Sequence, residues 1–168
     1  MNSSGAPRRA RSWNSVVPAC GRETWRKCAA THPPRGVIEV YLVDTSVWIE
    51  TFRRNDPFDL EGTVDFDLVV TCLPVVQEVL QGFRNEAGFR HARSAMHALP
   101  MVESPLEREV FDQAVSLYRT ARRNGLTIRS SVDCLIAACA IRNALCVLHR
   151  DRDYPALAKV SELQQRTV

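Results

Sequence analysis

Short apolar runs alternate along this chain with longer segments in which apolar residues recur at helical spacing. The short runs predict buried strands at 40–43, 68–72, 101–103 and 145–148. The longer segments predict a helix beginning near Val47 and further helices at 74–82, 88–99, 105–123 and 131–143. Because these elements alternate without hairpin turns, we predict an α/β fold. Helices are expected to cover both faces of a central, mainly parallel sheet, giving a three-layer α/β/α sandwich.

Capping signals locate the starts of two of these helices. Ser104 is predicted to be an N-cap, with Pro105 in the first helical position and Glu107 completing a capping box. Ser130 and Asp133 have the same spacing and predict a second capping box. The helices therefore have defined starts in addition to apolar faces.

The charge of the chain is unevenly distributed. Residues 1–36 carry seven Lys or Arg against Glu23 alone, a net charge of +6. Residues 37–168 carry 15 basic and 18 acidic side chains, a net charge of −3. The second segment therefore lacks the overall basic charge of a non-specific nucleic-acid binder, and any contact with nucleic acid must come from a local patch.

Residues 1–36 have no sustained periodicity and are rich in Ser, Gly, Pro and Arg, so they are predicted to be a disordered extension. We interpret them as lying before a native translation start near Val37; a basic RNA-binding arm is the alternative. Residues 37–168 form the predicted folded domain.

Localisation follows from what the sequence lacks. No apolar segment resembles a secretory h-region or approaches the roughly 20 residues of a membrane span, so we predict a soluble, cytoplasmic protein. The six cysteines include no CxxC pair and are predicted to be free thiols, mostly buried.

Acidic residues follow the predicted strands. Asp44 comes directly after strand 40–43, and Asp151 and Asp153 come just after strand 145–148. Asp133 opens one helix, and Glu78 lies about one turn into another. Each acid alone could be a helix cap, a turn residue or a solvated side chain. However, the carboxyl ends of parallel strands meet at one edge of a sheet, where ligands bind in open α/β folds.

Gathered at one edge, these acids predict a metal site. Two carboxylates ~4 Å apart repel each other by about 4 kcal/mol at an effective dielectric constant of 20. A cluster of three or four therefore needs a cation, and ligands that are all oxygen favour Mg²⁺ or Mn²⁺.

Four segments carrying these acids resemble PIN-domain ribonucleases, and most closely the VapC-type toxins of bacterial toxin–antitoxin pairs. They are LVDTSVWI at 42–49, VQEVLQG at 76–82, SVDCLIAA at 131–138 and LHRDRDY at 148–154. The resemblance covers residues 40 to about 157 and implies a PIN-like fold. It places catalytic acids at Asp44, Glu78, Asp133 and Asp151, and metal ligands at Asp44, Asp133, Asp151 and Asp153. The Asp-x-Asp pair leaves open which of its two acids is the fourth of the family.

The resemblance also implies a function. The activity would be Mg²⁺-dependent hydrolysis of phosphodiester bonds in structured cellular RNA, such as tRNA or rRNA, with Mn²⁺ as an alternative cofactor. Ser46 would orient Asp44, and His149 is interpreted as a turn residue. The arginines expected to grip the RNA backbone are Arg150, Arg152, Arg119, Arg122 and Arg123, although the last three could equally complement the dipole of their helix.

Two partners are implied by the same resemblance: a second copy of the chain, forming a homodimer, and a small VapB-type antitoxin. An arginine of the antitoxin would enter the acidic cluster, because its donors pair with carboxylates at two points. Its apolar residues would bind the helix of Trp48 and Phe52 and the helix at 74–82.

Four alternative functions share parts of this sequence pattern. A phosphatase would place a second Asp two residues after Asp44, where Ser46 stands, and a receiver domain would need a late Lys, for which only Lys159 is present after residue 36. A housekeeping PIN nuclease would lack an antitoxin. A metal-free PIN-like RNA-binding scaffold would lack the acids, which are all present here.

Overall fold

A computed structural model describes residues 39–53 and 55–168. The predicted extension at 1–36 lies outside these residues. The described chain contains five strands, and all of them pair in parallel in the order β3-β2-β1-β4-β5. They are β1 Tyr41–Val43, β2 Val69–Cys72, β3 Met101–Val102, β4 Cys146–His149 and β5 Gln164–Thr167.

Six α-helices connect and flank these strands. They are α1 Thr45–Thr51, α2 Leu73–Gln81, α3 Glu86–Ala98, α4 Arg108–Arg123, α5 Ser131–Arg142 and α6 Asp153–Ala158. A short 3₁₀ helix, Phe66–Leu68, leads into β2. The predicted parallel α/β architecture is confirmed. None of the helices in the described residues combines the length and apolar character needed to cross a bilayer.

The strand order creates a crevice beside β1. The chain builds β2 and β3 on one side of β1 and then returns to build β4 and β5 on the other. The carboxyl ends of β1 and β4 therefore flank the point at which the winding reverses, where parallel α/β sheets bind ligands. Both strands are buried along their whole length, which fixes the residues that follow them at this edge.

One helix start was predicted wrongly. The helix expected from Pro105 begins at Arg108, and its N-cap, Glu107, makes no side-chain capping bond. The chain turns at Glu103, which has φ 49°. The Glu103 carboxylate accepts hydrogen bonds from Arg142 Nε at 3.0 Å and Asn143 Nδ2 at 2.9 Å. Because Glu103 is held against the end of α5, the next residues serve as a connector and cannot begin the helix.

His149 was also interpreted wrongly as a turn residue, since it is the last residue of β4 and is fully buried. Its Nδ1 accepts a hydrogen bond from the Asp151 N–H at 3.1 Å, so its Nε2 carries the proton and donates to Gln165 Oε1 at 2.6 Å. Gln165 belongs to β5, a polar edge strand that was not predicted. His149 therefore joins β4 to β5.

The cysteines of the described residues agree with the prediction of free thiols. Cys72, Cys134, Cys139 and Cys146 are unpaired in disulfides and buried. Cys20 and Cys28 lie outside the described residues.

Candidate active site

A cavity of about 300 Å³ opens at the carboxyl ends of β1 and β4. All five predicted acids line it, which brings together residues from four separate parts of the chain. The lining residues are Asp44, Glu78, Asp133, Asp151 and Asp153, with Thr45, Ser46, Ile49, Arg129 and Ser130.

Asp44 is held from both sides. Its Oδ2 accepts hydrogen bonds from the Ser46 N–H at 2.9 Å and the Ser46 hydroxyl at 2.5 Å. Its Oδ1 accepts a hydrogen bond from the hydroxyl of Tyr154, which is fully buried, at 2.5 Å. Asp44 therefore caps α1 and also faces the cavity, so the two interpretations considered for it are compatible.

Ser46 links the loop after β1 to the loop after β4. While its hydroxyl donates to Asp44, the same oxygen accepts a hydrogen bond from the Arg150 N–H at 2.9 Å. The Asp44 N–H in turn donates to the Leu148 carbonyl at 2.9 Å. These bonds fix the two acid-bearing loops relative to each other, which supports the orienting role expected of Ser46.

Glu78 faces the cavity. It lies on α2, and its Oε2 accepts a hydrogen bond from the Thr45 hydroxyl at 2.9 Å. Thr45 is the first residue of α1 and follows Asp44, so this bond connects Glu78 on α2 to the start of α1. Of the two positions considered for Glu78, the structure favours the cleft.

Asp133 has a carboxyl group whose surroundings shift its pKa strongly. The Ser130 hydroxyl accepts hydrogen bonds from the Val132 and Asp133 N–H groups, both at 3.2 Å, so the predicted cap of α5 is present. Burial, followed by repulsion from Asp44 and Asp151, raises the pKa of Asp133 to about 7. A bound cation would offset both effects, because it replaces lost solvation and screens the neighbouring carboxylates.

Asp133, Asp151 and Asp153 approach each other closely. One oxygen from each lies within 4.8 Å of the others, a separation that a single ion could bridge. The donor set in the cavity contains only oxygen, which suits Mg²⁺ or Mn²⁺. The residues present therefore fit a divalent cation.

Asp153 differs from Asp151 in how its oxygens are used. Asp153 is 1% exposed, and its Oδ2 accepts hydrogen bonds from the N–H groups of Arg129 at 2.6 Å and Ser130 at 3.4 Å. Its Oδ1 accepts a third, from Arg129 Nε at 3.2 Å. Asp151 uses Oδ1 for Arg129 Nη2 at 2.6 Å and for the Asp153 N–H at 2.9 Å. Both carboxylate oxygens of Asp153 therefore accept hydrogen bonds from the turn before α5. Asp151 is half-buried, and its Oδ2 takes no part in the bonds to Arg129 and Asp153.

The predicted RNA-binding arginines do not line this cavity. The Arg150 guanidinium lies over the Phe58 ring at 4.6 Å from its centroid, with Nη1 4.0 Å from Glu50 Oε2. Arg152 is exposed at the N-cap of α6. Arg119, Arg122 and Arg123 are exposed near the end of α4.

Sequence reasoning missed three residues of the site: Thr45, Arg129 and Tyr154. Thr45 and Tyr154 lie inside two of the segments that carry the family resemblance, beside residues that were selected. A search for hydroxyl groups next to the acids would have found them. Arg129 precedes the predicted cap Ser130 and carries no periodic signal, so its position depends on contacts with Asp151 and Asp153.

Comparison with known proteins agrees with this geometry. The sequence pattern of the PIN-domain family matches residues 41–160. The VapC ribonuclease Mb1587 of Mycobacterium bovis and ribonuclease VapC11 of Mycobacterium tuberculosis are each 33% identical to this chain over 130 residues. The match covers 73% of this chain and 95% of each relative. The chain therefore belongs to the PIN-domain family, and within it to the VapC group.

Solved structures show the same fold. VapBC-5 of Mycobacterium tuberculosis, a member of a family of toxin–antitoxin systems, aligns with a TM-score of 0.60 at 20% identity, over 78% of this chain and 100% of that one. VapBC2 of Rickettsia felis, bound to a DNA fragment from its promoter, aligns with a TM-score of 0.61 at 13% identity, over 77% of this chain and 98% of that one.

Proposed function

We propose that this protein is a Mg²⁺-dependent endoribonuclease that acts as the toxin of a toxin–antitoxin pair. The observation that carries the proposal is the convergence of Asp44, Glu78, Asp133 and Asp151 on one cavity. The raised pKa of Asp133 supports a cation there, since burial and its neighbours oppose its ionised form in the absence of one. The names of the relatives, VapC ribonucleases, support the reaction.

Asp44, Asp133 and Asp151 would hold the metal, with Glu78 beside them. Bound Mg²⁺ supplies an activated water at neutral pH and stabilises negative charge on the phosphate and the leaving oxygen. The protein contributes the geometry. Tyr154 and Ser46 keep Asp44 in one orientation, and Thr45 does the same for Glu78. Asp153, one oxygen of which lies within 4.8 Å of oxygens of Asp133 and Asp151, would complete the ligand set and also anchors the start of α5.

The proposed substrate is structured cellular RNA, of the tRNA or rRNA class. With a net charge of −3 over residues 37–168, the domain needs local contacts to hold a polyanion. Arg150 and Arg152 lie next to Asp151 in the chain and would contact the RNA backbone near the cavity. Arg119, Arg122 and Arg123 would contact it further away, along the end of α4.

The antitoxin would bind beside the cavity on an aromatic cluster formed by Trp48, Phe52, Phe66 and Phe83. Its ring centroids lie 5.7 to 6.4 Å apart, and Phe66 is 42% exposed. Ile49, on the same helix as Trp48, is 51% exposed and lines the cavity. A partner with apolar residues on the cluster could therefore place a basic side chain among the acids. The sequence led us to expect the helix of Trp48 and Phe52 and the helix at 74–82, and this proposal adds Phe66 and Phe83, which lie outside both.

The homodimer would form through α4. Phe111, Val115 and Tyr118 are exposed on one face of this helix, separated by four and three residues. The first half of α4 carries Glu109 and Asp112 with one arginine, Arg108, and its last turns carry three arginines. Two copies packed antiparallel about a two-fold axis would bring opposite charges together at both ends of an apolar seam.

RNA cleavage by the purified protein tests the reaction. We expect cleavage in Mg²⁺ and none in EDTA, and the variants Asp44→Asn, Glu78→Gln and Asp133→Asn should each lose at least about 100-fold in rate while remaining folded. Asp67→Asn removes an exposed acid outside the cavity and serves as the control. If the protein binds no Mg²⁺, the nuclease proposal is wrong and a metal-free RNA-binding scaffold is favoured instead. Transcriptome-wide mapping of new 5′ ends after induction would identify the RNA.

A further inference from the structure

Arg129 is the only basic residue among those lining the cavity of the described structure. It lies immediately before the turn that begins α5, and its side chain is 47% exposed. The mechanism proposed above leaves this guanidinium without a role.

Two carboxylates fix the guanidinium in one orientation. Arg129 Nη2 donates to Asp151 Oδ1 at 2.6 Å, and Arg129 Nε donates to Asp153 Oδ1 at 3.2 Å. An arginine has five N–H donors, so these two bonds leave Nη1 and one donor of Nη2 outside them. A side chain held in this way loses little conformational entropy when it binds a further group.

The main-chain bonds that anchor α5 do not depend on the guanidinium. Asp153 anchors the start of α5 through the main-chain N–H groups of Arg129 and Ser130, at 2.6 and 3.4 Å, and these bonds are independent of the side chain. Because the side chain is about half exposed, its truncation leaves no buried void. Pairing with the buried Asp153 uses only Nε, so this structural role leaves the donors of Nη1 unaccounted for.

The guanidinium also leaves room for a metal ion. Both of its bonds use the Oδ1 atoms, so Oδ2 of Asp151 is still available to the cavity. The arginine can therefore pair with Asp151 without displacing the cation.

We propose that Arg129 binds a phosphate of the RNA at the cleavage site, as a substrate-contacting residue positioned by Asp151 and Asp153. The inference rests on the proposed ribonuclease function. A guanidinium matches phosphate oxygens with paired donors, and it supplies positive charge where a phosphodiester would otherwise meet five carboxylates. Arg129 would thus lower the KM for RNA and stabilise the charge that develops on the phosphate.

Three variants of the full chain test this proposal. Arg129→Gln removes the positive charge. Arg129→Lys keeps the charge but lacks the paired N–H donors of a guanidinium. Arg108→Gln is the control. Arg108 is exposed and also pairs with a carboxylate, Asp112 at 3.5 Å, but it does not line the cavity. The probe is a fluorescein-labelled RNA stem-loop that the wild type cleaves. Its cleavage is followed in Mg²⁺ and its binding in EDTA.

We expect Arg129→Gln to weaken RNA binding and raise KM by about tenfold, the scale of a hydrogen bond to a charged group. Arg129→Lys should recover part of this loss, and Arg108→Gln should change little. Mg²⁺ affinity by calorimetry should stay within about twofold in all three, because Asp151 Oδ1 also accepts the Asp153 N–H at 2.9 Å and is held in place without Arg129. The salt dependence of binding should lose about 0.7 in slope for Arg129→Gln, the value for one phosphate contact on a single strand.

Two outcomes overturn the proposal while leaving the nuclease intact. RNA binding by Arg129→Gln could equal that of Arg108→Gln. Alternatively, Mg²⁺ affinity could fall in parallel with activity, which would make Arg129 a positioning residue for Asp151 only. A wild type that neither binds nor cleaves any RNA overturns the proposed function and this inference together.

Discussion

The hydroxyl of Tyr154 donates a hydrogen bond to Oδ1 of Asp44 at 2.5 Å, although the two residues are 110 positions apart in the chain. Tyr154 lies on α6 and is completely buried, with its ring 4.8 Å from that of His149. Burial and the adjacent Asp44 charge raise the pKa of Tyr154 well above its ordinary value, so the hydroxyl stays protonated and remains a donor. The bond therefore joins the first acid to the last helix.

Tyr154→Phe should remove this donor and keep the ring packing. We expect roughly tenfold weaker Mg²⁺ binding, because groups that orient a ligand typically contribute this much to affinity. The measurement is calorimetric titration with Mg²⁺, and Tyr118→Phe, at an exposed position on α4, is the matched control. Unchanged affinity in Tyr154→Phe would show that Ser46 alone orients Asp44.

Asp151→Asn and Asp153→Asn should fail in different ways. Asp153 is buried and accepts three hydrogen bonds from Arg129 and Ser130, so an amide there places an N–H₂ group against donors. Its main effect should be a loss of about 1–3 kcal/mol in the free energy of unfolding. Asp151→Asn should mainly weaken Mg²⁺ binding and should be the more damaging of the two for RNA cleavage. Thermal unfolding and Mg²⁺ titration of both variants test this prediction. If Asp151→Asn mainly loses stability and Asp153→Asn mainly loses Mg²⁺ affinity, Asp153 is the metal ligand and Asp151 the structural residue.

Asp133 should make the metal-free protein less stable as pH rises. Its pKa is about 7 in the fold and 3.8 ordinarily, so between these values the folded state binds a proton that the unfolded state has lost. The stabilisation from this proton is complete below pH 3.8, declines as pH rises from 3.8 to about 7, and is absent above that. In EDTA, Asp133→Asn should therefore be more stable than the wild type at pH 8 and differ less at pH 5. A difference of 1 kcal/mol corresponds to ~2–4 °C in Tm. An equal difference at both pH values would contradict the prediction.

The part of the site that the sequence predicts is the part set by local burial. Asp44 and Asp151 follow strands that are apolar throughout, and such strands must lie inside a parallel sheet, so their ends are fixed. Helix periodicity and capping place Glu78 and Asp133 on their helices, but their assignment to the site came from the family resemblance. The parallel fold itself rests on the same signals.

Strand β5, the start of α4 and two side chains of the site depend on contacts between distant parts of the chain. β5 has the polar sequence Gln164–Thr167 and forms only by pairing with β4 at the sheet edge, where polar residues are tolerated. The late start of α4 depends on the contacts of Glu103 with α5. Arg129 and Tyr154 reach the acids only after α5 and α6 have packed against the sheet. A local search for hydroxyl groups would select Tyr154, but no local pattern shows that it bonds to Asp44.

Val115→Glu should convert the proposed dimer into a monomer. Val115 is 57% exposed at the centre of the apolar stripe on α4, so a two-fold axis would bring the two introduced carboxylates close together. Light scattering coupled to size-exclusion chromatography measures the mass. Ser116→Glu adds the same charge at an exposed position off the stripe and should leave the dimer intact. A wild type that is monomeric at all concentrations would exclude the dimer. A dimeric Val115→Glu would place the dimer interface elsewhere.

Ile49→Asp should separate toxicity from neutralisation. Ile49 lies where the aromatic helix α1 meets the acidic cavity, and its half-exposed side chain contributes little to the core. An apolar partner would lose its contact there and meet an added negative charge, which we expect to weaken antitoxin binding by at least tenfold. The growth test compares the wild type, Ile49→Asp and Ser116→Asp, each expressed alone and with the small upstream open reading frame. All three should arrest growth when expressed alone, and the upstream gene should rescue cells that express the wild type or Ser116→Asp, but not those that express Ile49→Asp. If the upstream gene rescues none of them, or no such gene exists, a housekeeping nuclease replaces the toxin; if it rescues all three equally, the antitoxin binds elsewhere.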